Sequence, residues 1–156
     1  MIKFGTGGWR AIIGEEFTKA NIQLLSKAMC IRMKQEGNDR QGILIGYDRR
    51  FLSKEAMRWC GEVFAQEGIT AMLVNKAAPT PLIMYYVQKH ELPYGMMITA
   101  SHNPSLYNGI KIFTAGGRDA SREVIQRQSS SWAAGMPQEE KHDKVRDRRM
   151  ARHHRR

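Results

Sequence analysis

Residues 99–104, Thr-Ala-Ser-His-Asn-Pro, place a serine where an apolar run of the sequence ends. Proline fixes its own φ angle and asparagine tolerates a left-handed backbone, so the segment is typical of a tight turn that holds the Ser101 hydroxyl outward. Such a hydroxyl can act as a nucleophile or carry a phosphoryl group. Lys111, seven residues after Pro104, is close enough in the sequence for its ammonium group to lie at this turn. There it could neutralise phosphoryl oxygens or transfer a proton. The alternative is an ordinary serine turn with a hydrogen-bonded histidine and a solvated lysine.

A hydrolase of the Ser–His type is not favoured by these residues. The sequence contains no G-x-S-x-G segment, in which a serine nucleophile sits between two glycines. Ser101 and His102 are adjacent in the chain, so their side chains are not placed to converge as a nucleophile and its base must.

Two further segments have residue types suited to binding an anion. In residues 5–10, Gly-Thr-Gly-Gly-Trp-Arg, the glycines would let backbone N–H groups approach a phosphate and Arg10 could donate two hydrogen bonds to it. The alternative there is a glycine turn that joins an edge strand to its neighbour. In residues 46–50, Gly-Tyr-Asp-Arg-Arg, we interpret the aspartate as half of a buried Asp–Arg pair that organises the end of a strand, with ligand contact as the alternative.

Alternating strands and helices are predicted to position these segments. Apolar residues at three- and four-residue spacing predict a helix after the N-cap Thr18 that ends at Gly37, a second helix capped by Ser53 that ends at Gly68, and a third over residues 80–90. Short apolar runs predict strands at residues 42–48, 70–74, 94–100 and 110–113. This alternation predicts an α/β fold, a three-layer α/β/α sandwich with a mainly parallel mixed sheet. Ligands bind at the carboxyl ends of strands in such sheets, where the three polar segments would lie.

Composition sets the class of protein. The chain has 156 residues, of which 42% are apolar and 26% charged, which is typical of a single globular domain. We expect a soluble, cytoplasmic protein, because no window is apolar enough to span a membrane and the first residues lack the apolar stretch of a signal peptide. Cys30 and Cys60 fall in predicted helices, so buried, inert thiols are expected.

The positive charge of the chain is concentrated near its end. The net charge is +10, and half of this excess lies in residues 121–156, which contain ten basic and five acidic side chains. Few apolar residues occur there, so burial cannot offset an ordering entropy of about 1–2 kcal/mol per residue. We therefore expect a folded unit over residues 1–120, a residual helix over residues 121–128 and a disordered basic tail over residues 129–156.

These motifs together resemble the α-D-phosphohexomutase family, which includes phosphoglucomutases and phosphomannomutases. Residues 99–104 are similar to the family's phosphoserine loop, residues 107–111 to the segment that follows it, and residues 4–10 to its amino-terminal arginine loop. The segments 46–50 and 79–81 fall between them in the family's order. The resemblance covers residues 1 to about 120, which correspond to the first α/β/α domain, the phosphoserine domain, of these enzymes.

The resemblance implies an intramolecular phosphotransferase that interconverts hexose 1-phosphate and hexose 6-phosphate through a bisphosphate intermediate. By this resemblance Ser101 would carry the phosphoryl group and contribute one phosphate oxygen to a Mg²⁺ ion, while His102 and Lys111 would transfer protons. Arg10, Asn103 and Lys111 would bind the phosphate or the substrate.

Motifs of the family's other three domains do not occur in this sequence. The metal-binding D-G-D-x-D run, the sugar-reading loop and a distal phosphate loop are all missing. We therefore expect a fragment that is inactive alone, unless missing domains are supplied in trans, and that does not hold Mg²⁺ stably. The alternative function is non-enzymatic binding of a polyanion through the arginine-rich end, residues 146–156. Any nucleic-acid contact there would be non-specific, since no aromatic residue is interleaved for base stacking.

Overall fold

The computed structural model describes residues 2, 4–5 and 7–120. Strands and helices alternate through the described residues, and their bounds are as follows. The strands are β1 (Phe4–Gly5), β2 (Gly8–Ile12), β3 (Ile43–Tyr47), β4 (Ala71–Leu73), β5 (Tyr94–Ile98), β6 (Tyr107–Thr114) and β7 (Arg118–Asp119). The α-helices are α1 (Lys19–Gln35), α2 (Ser53–Gln66) and α3 (Thr80–Lys89), with a short 3₁₀ helix at Asp39–Gln41. The residual helix and the basic tail predicted for residues 121–156 lie outside the described residues.

All the strands of the described residues belong to one mixed sheet. Its order is β1-β2-β6-β5-β3-β4, and β7 pairs with β6. Strand β3 is parallel to β4 and β5, whereas β2 and β5 both run antiparallel to β6. The hairpins β1–β2 and β6–β7 add further antiparallel pairs, so antiparallel pairing predominates even though the α/β architecture predicted from the sequence is confirmed. The difference arises because a direct loop, and not a helix, connects β5 to β6.

Helices cover both faces of the sheet, which gives the three predicted layers. On one face α1 and α2 pack against alternate residues of the central strands, including Ile45, Met96 and Ile112. On the other face α3 places Ile83 against Met97 and Phe113. Consecutive residues of a strand point to opposite faces, so a central strand buried on both faces is continuously apolar. Strand β5 has this pattern throughout.

The predicted helix punctuation is mostly confirmed. The Thr18 side chain accepts a hydrogen bond from the backbone N–H of Asn21, and Gly37 and Gly68 follow α1 and α2 with positive φ angles. The prediction that Ser53 caps α2 is wrong, because Leu52 is the N-cap, with φ 62°, and Ser53 is the first helical residue. Its hydroxyl is used in the side-chain network described below.

Candidate active site

The loop after β5 holds Ser101 in an unusual backbone conformation. Ser101 has φ 54°, in the left-handed region that few residues with a side chain adopt. Its backbone N–H donates a hydrogen bond of 3.0 Å to Thr99 Oγ1, and the N–H of Asn103 donates to the carbonyl of Ala100. These bonds close a tight turn at the end of the strand, as the sequence predicts, with the Ser101 side chain exposed.

Strand β2 brings Arg10 to this turn from the other end of the sequence. Trp9 and Ala11 are buried among the residues that face α1 and α2, so Arg10, between them, faces the opposite side of the sheet. From there Arg10 Nη2 donates a hydrogen bond of 3.3 Å to Ser101 Oγ. Arg10 Nε is buried and has no hydrogen-bond partner in the described part of the chain. The structure therefore joins the arginine and the serine that the sequence singled out.

A glycine in β6 permits this approach of β2. Gly109 pairs with Arg10, and a Cβ atom added at Gly109 would lie 2.1 Å from the carbonyl oxygen of Trp9 and 3.0 Å from that of Thr99. Three backbone segments thus meet at a point where only a hydrogen atom fits. The glycine segment before β2 is the turn of the β1–β2 hairpin, with positive φ angles at Gly7 and Gly8, which is the alternative that the sequence left open.

Arg50, which follows β3, binds the loop between β5 and β6, residues 99–106, called the serine loop below. Its Nη1 donates to the carbonyl oxygens of Pro104 at 2.9 Å and Tyr107 at 3.0 Å. Its Nη2 donates to those of Ser101 at 2.8 Å and Asn103 at 2.5 Å. A planar guanidinium with fixed donor directions is suited to such a set of acceptors. All four of its Nη–H donors are occupied by backbone carbonyls.

A network of side chains anchors this arginine to the scaffold. Asp48 Oδ2 lies 3.7 Å from Arg50 Nε, and Asp48 Oδ1 accepts hydrogen bonds from the Arg50 backbone N–H and from Ser53 Oγ. The amide of buried Asn108 donates to Ser53 Oγ and to the carbonyl of Phe51, each at 2.9 Å. The Asp–Arg pair predicted for this strand end is therefore present, but it is half-buried and not buried, because both side chains lie beside the exposed loop. The network as a whole connects β3, the start of α2 and β6.

The other predicted site residues lie around Ser101 without contacting its hydroxyl. His102 is exposed next to it, and Asn103 is half-buried and forms hydrogen bonds through its backbone N–H and carbonyl. Lys111 is half-buried on β6, two residues beyond Gly109 and so on the same face of the sheet as Arg10. Within the described residues neither His102 nor Lys111 forms a hydrogen bond with Ser101.

The described residues do not fit a magnesium site of their own. They contain no group of three or more His, Cys, Asp or Glu side chains close enough to hold a metal ion. Asp48, a carboxylate beside the loop, is already engaged by Arg50 and Ser53. These described side chains alone therefore do not provide the ligand set of a magnesium ion.

Sequence reasoning missed the residues that shape the site through backbone contacts. Thr99 accepts from the Ser101 amide, Asn108 links β6 to α2, and Gly109 admits β2. An Asn-Gly pair usually indicates a turn, but here it lies within a strand. The available signal was the presence of apolar residues on both sides of the pair, Leu106 and Tyr107 before it and Ile110, Ile112 and Phe113 after it.

The sequence is similar to one protein family and to curated proteins. Residues 1–134 match the model of phosphoglucomutase/phosphomannomutase, alpha/beta/alpha domain I. The chain is 34% identical over 132 residues to a phosphoglucomutase of Staphylococcus saprophyticus, covering 83% of this chain and 24% of that protein. It is 33% identical over 122 residues to a phosphoribomutase of Saccharomyces cerevisiae, covering 74% of this chain and 20% of that protein. The chain therefore spans a fifth to a quarter of the length of these relatives.

A solved structure is similar to this chain in both sequence and fold. The crystal structure of a candidate phosphomannomutase from Thermus thermophilus superposes with a TM-score of 0.76 at 32% identity, covering 87% of this chain and 30% of that one. No helix in the described part of the chain is both long and apolar enough to cross a membrane. The matched domain model, the aligned relatives and the shared fold together show that the chain belongs to the phosphoglucomutase/phosphomannomutase family, of which it matches domain I.

Proposed function

We propose that residues 1–120 form the phosphoserine domain of a sugar-phosphate mutase and that Ser101 is its phosphoryl carrier. The observation that carries this proposal is the hydrogen bond from Arg10 to the Ser101 hydroxyl, made between residues 91 positions apart at the carboxyl end of β5. Membership of the family supports it. A serine that served only to make a turn would need no arginine at its hydroxyl.

The proposed chemistry is an exchange of one phosphate ester for another. Ser101 Oγ forms a bond to phosphorus while the bond between phosphorus and the sugar oxygen breaks, and the proton of the serine hydroxyl passes to that sugar oxygen. Charge accumulates on the phosphoryl oxygens in this transition state, and Arg10 can stabilise it through a preorganised donor. The reverse step returns the phosphoryl group to a different oxygen of the sugar.

We assign supporting roles to three further residues. His102, exposed beside Ser101, and Lys111, on the same sheet face as Arg10, are the proposed proton-transfer groups. Asn103 and Lys111 are proposed to contact the phosphate or the sugar. Lys111 lies on the same sheet face as Arg10, which supports contact of its ammonium with an anion at Ser101.

The proposed substrate class is a hexose phosphate. The aligned relatives are a phosphoglucomutase and a phosphoribomutase, which both act on sugar phosphates. We propose that this chain takes up the phosphoryl group of such a substrate at Ser101.

Incubation of the 156-residue chain with glucose 1,6-bisphosphate tests the proposal. Peptide mass spectrometry should find one phosphoryl group on Ser101. Ser105→Ala removes an exposed hydroxyl from the same loop and should leave uptake unchanged, whereas Ser101→Ala should abolish it. Lys111→Ala should slow uptake, while Lys19→Ala, at the start of α1, should not. Uptake at another residue, or none at all, would contradict the proposal.

A further inference from the structure

The backbone conformation of Ser101 needs an external support. Its φ of 54° places a side-chain-bearing residue in the left-handed region, where Cβ crowds the following carbonyl. Such conformations persist only where the surrounding structure imposes them. The bond from the Ser101 amide to Thr99 Oγ1 holds one side of the residue, and its carbonyl needs a separate partner.

That partner is Arg50, whose guanidinium donates hydrogen bonds to four carbonyl oxygens in one short stretch of chain. Nη2 donates to the carbonyl oxygens of Ser101 and Asn103, and Nη1 donates to those of Pro104 and Tyr107. Each hydrogen bond fixes the direction of a peptide plane, so the four together define the path of residues 101–107. Because these carbonyls use all the Nη–H donors, Arg50 has no Nη–H group left for a phosphate, which argues against its being an anion ligand.

The guanidinium is itself held by rigid elements. Asp48, at the end of β3, faces Nε at 3.7 Å and accepts the Arg50 backbone N–H at 2.9 Å. Ser53 binds the same carboxylate from the first turn of α2. The fork of donors is therefore fixed relative to β3 and α2, and the serine loop takes its shape from them.

We propose that Arg50 is a positioning residue for phosphoryl transfer, which aims the Ser101 hydroxyl through its bonds to the loop carbonyls. This role requires the planar arrangement of the Nη–H donors of the guanidinium, and its positive charge alone is not sufficient. A lysine at this position would keep the charge, but a single ammonium has at most three donors and no planar fork to span four carbonyls. This inference rests on the proposed function of Ser101.

The first measurement does not depend on that function. NMR of the full chain reports the φ of Ser101 through its HN–Hα coupling, read together with the intraresidue HN–Hα NOE that is strong only at positive φ, and the order of the loop through the amide signals of residues 101–107. In Arg50→Lys and Arg50→Ala the coupling and the NOE should no longer correspond to a positive φ and the loop signals should broaden, while the signals of β5 and α1 keep their positions. The matched control is Arg49→Ala, which removes the same charge from the exposed neighbouring residue and should leave Ser101 unchanged.

The second measurement is the rate of phosphoryl uptake from glucose 1,6-bisphosphate. Misplacing a reacting group by about 1 Å lowers a rate on the order of 100-fold. Both Arg50 variants should therefore lose about 100-fold in the saturating rate, with the bisphosphate concentration for half-saturation nearly unchanged. Methylguanidinium added to Arg50→Ala should restore part of the rate, while methylammonium should not.

The outcomes separate the two proposals. If Arg50→Lys keeps both the Ser101 coupling and the uptake rate of the unmodified chain, the positioning role is refuted. If the unmodified chain takes up no phosphoryl group, the proposed function fails, and the coupling in Arg50→Lys still decides whether Arg50 shapes the loop. If Arg50→Ala does not fold, Arg50→Lys provides both measurements.

Discussion

Gly109→Ala tests the close approach of strands at the candidate site. The added methyl group would lie 2.1 Å from the carbonyl oxygen of Trp9 and 3.0 Å from that of Thr99. Ordinary contact begins near 3.4 Å, so the backbone of β2 would have to retreat by about 1.3 Å. All the nearest atoms are backbone, which cannot turn aside as the end of a long side chain can.

The size of the effect follows from that geometry. Overpacking a well-packed site costs about 1–3 kcal/mol, and a clash with fixed backbone belongs at the upper end of this range. We expect a loss of about 3 kcal/mol in the free energy of unfolding, measured by urea denaturation, and a fall in Tm of roughly 10 °C, at a few degrees per kcal/mol for a chain of this size. The retreat of β2 also carries Arg10 away from Ser101, so phosphoryl uptake should fall in protein that remains folded.

Gly5→Ala is the matched control for this substitution. A Cβ at Gly5, in the partner strand β1, would lie no nearer than 3.9 Å to another heavy atom, and its φ is not in the left-handed region. It should change the free energy of unfolding by less than about 0.5 kcal/mol. Equal and small effects of the two substitutions would refute the claim that three backbone segments meet at Gly109 without room for a methyl group.

Two other substitutions and one pH series examine the surroundings of the site. Asn108→Ala removes the amide that donates to the Phe51 carbonyl and to Ser53 Oγ and should lower the free energy of unfolding by about 1–3 kcal/mol. Asn103→Ala, which removes a half-buried side chain, should change it by less than about 0.5 kcal/mol, and similar values for the two variants by urea denaturation would contradict the network. Burial raises the pKa of the Cys30 and Cys60 thiols from 9.0 to about 12, so the folded state holds these protons more tightly than the unfolded state does and stability must fall as the pH rises above 9. The free energy of unfolding, measured with urea at pH 8 and pH 10, should fall by up to about 1.4 kcal/mol per thiol for each pH unit above 9. If the double variant Cys30→Ala, Cys60→Ala shows the same pH slope, the assignment to the thiols is wrong.

Local patterns were sufficient to predict most of the elements. Residues Ile22, Leu25, Met29 and Met33 repeat at helical spacing and are all buried in α1, as the sequence indicates. The runs at β3 and β5 are continuously apolar because both faces of the central sheet are covered. The turn after β5 was also predictable from Asn103 and Pro104, but the left-handed backbone lies at Ser101 and not at the asparagine that tolerates it best.

Long-range backbone contacts were not predictable in this way. Arg50 donates to four carbonyl groups, which every residue carries, so the sequence does not mark those acceptors. Gly109 lies in a strand because the backbone of Trp9, a hundred residues earlier, passes against it. The direction of β6 depends on the length of one loop, and strand periodicity contains no information on whether a neighbour is parallel or antiparallel.

The position of β2 in the sheet affects the order in which the chain can fold. In the described residues β2 pairs with β1, which has two residues, and with β6, which begins 95 residues after β2 ends. At a synthesis rate of roughly 5–20 residues per second, β2 waits about 5–19 s for its main partner. Closing so long a loop is entropically unfavourable until β5 and β6 can pair. The hydrogen bond between Arg10 and Ser101 therefore forms among the last contacts, and a fluorescence change at buried Trp9 should mark the completion of the sheet in refolding kinetics.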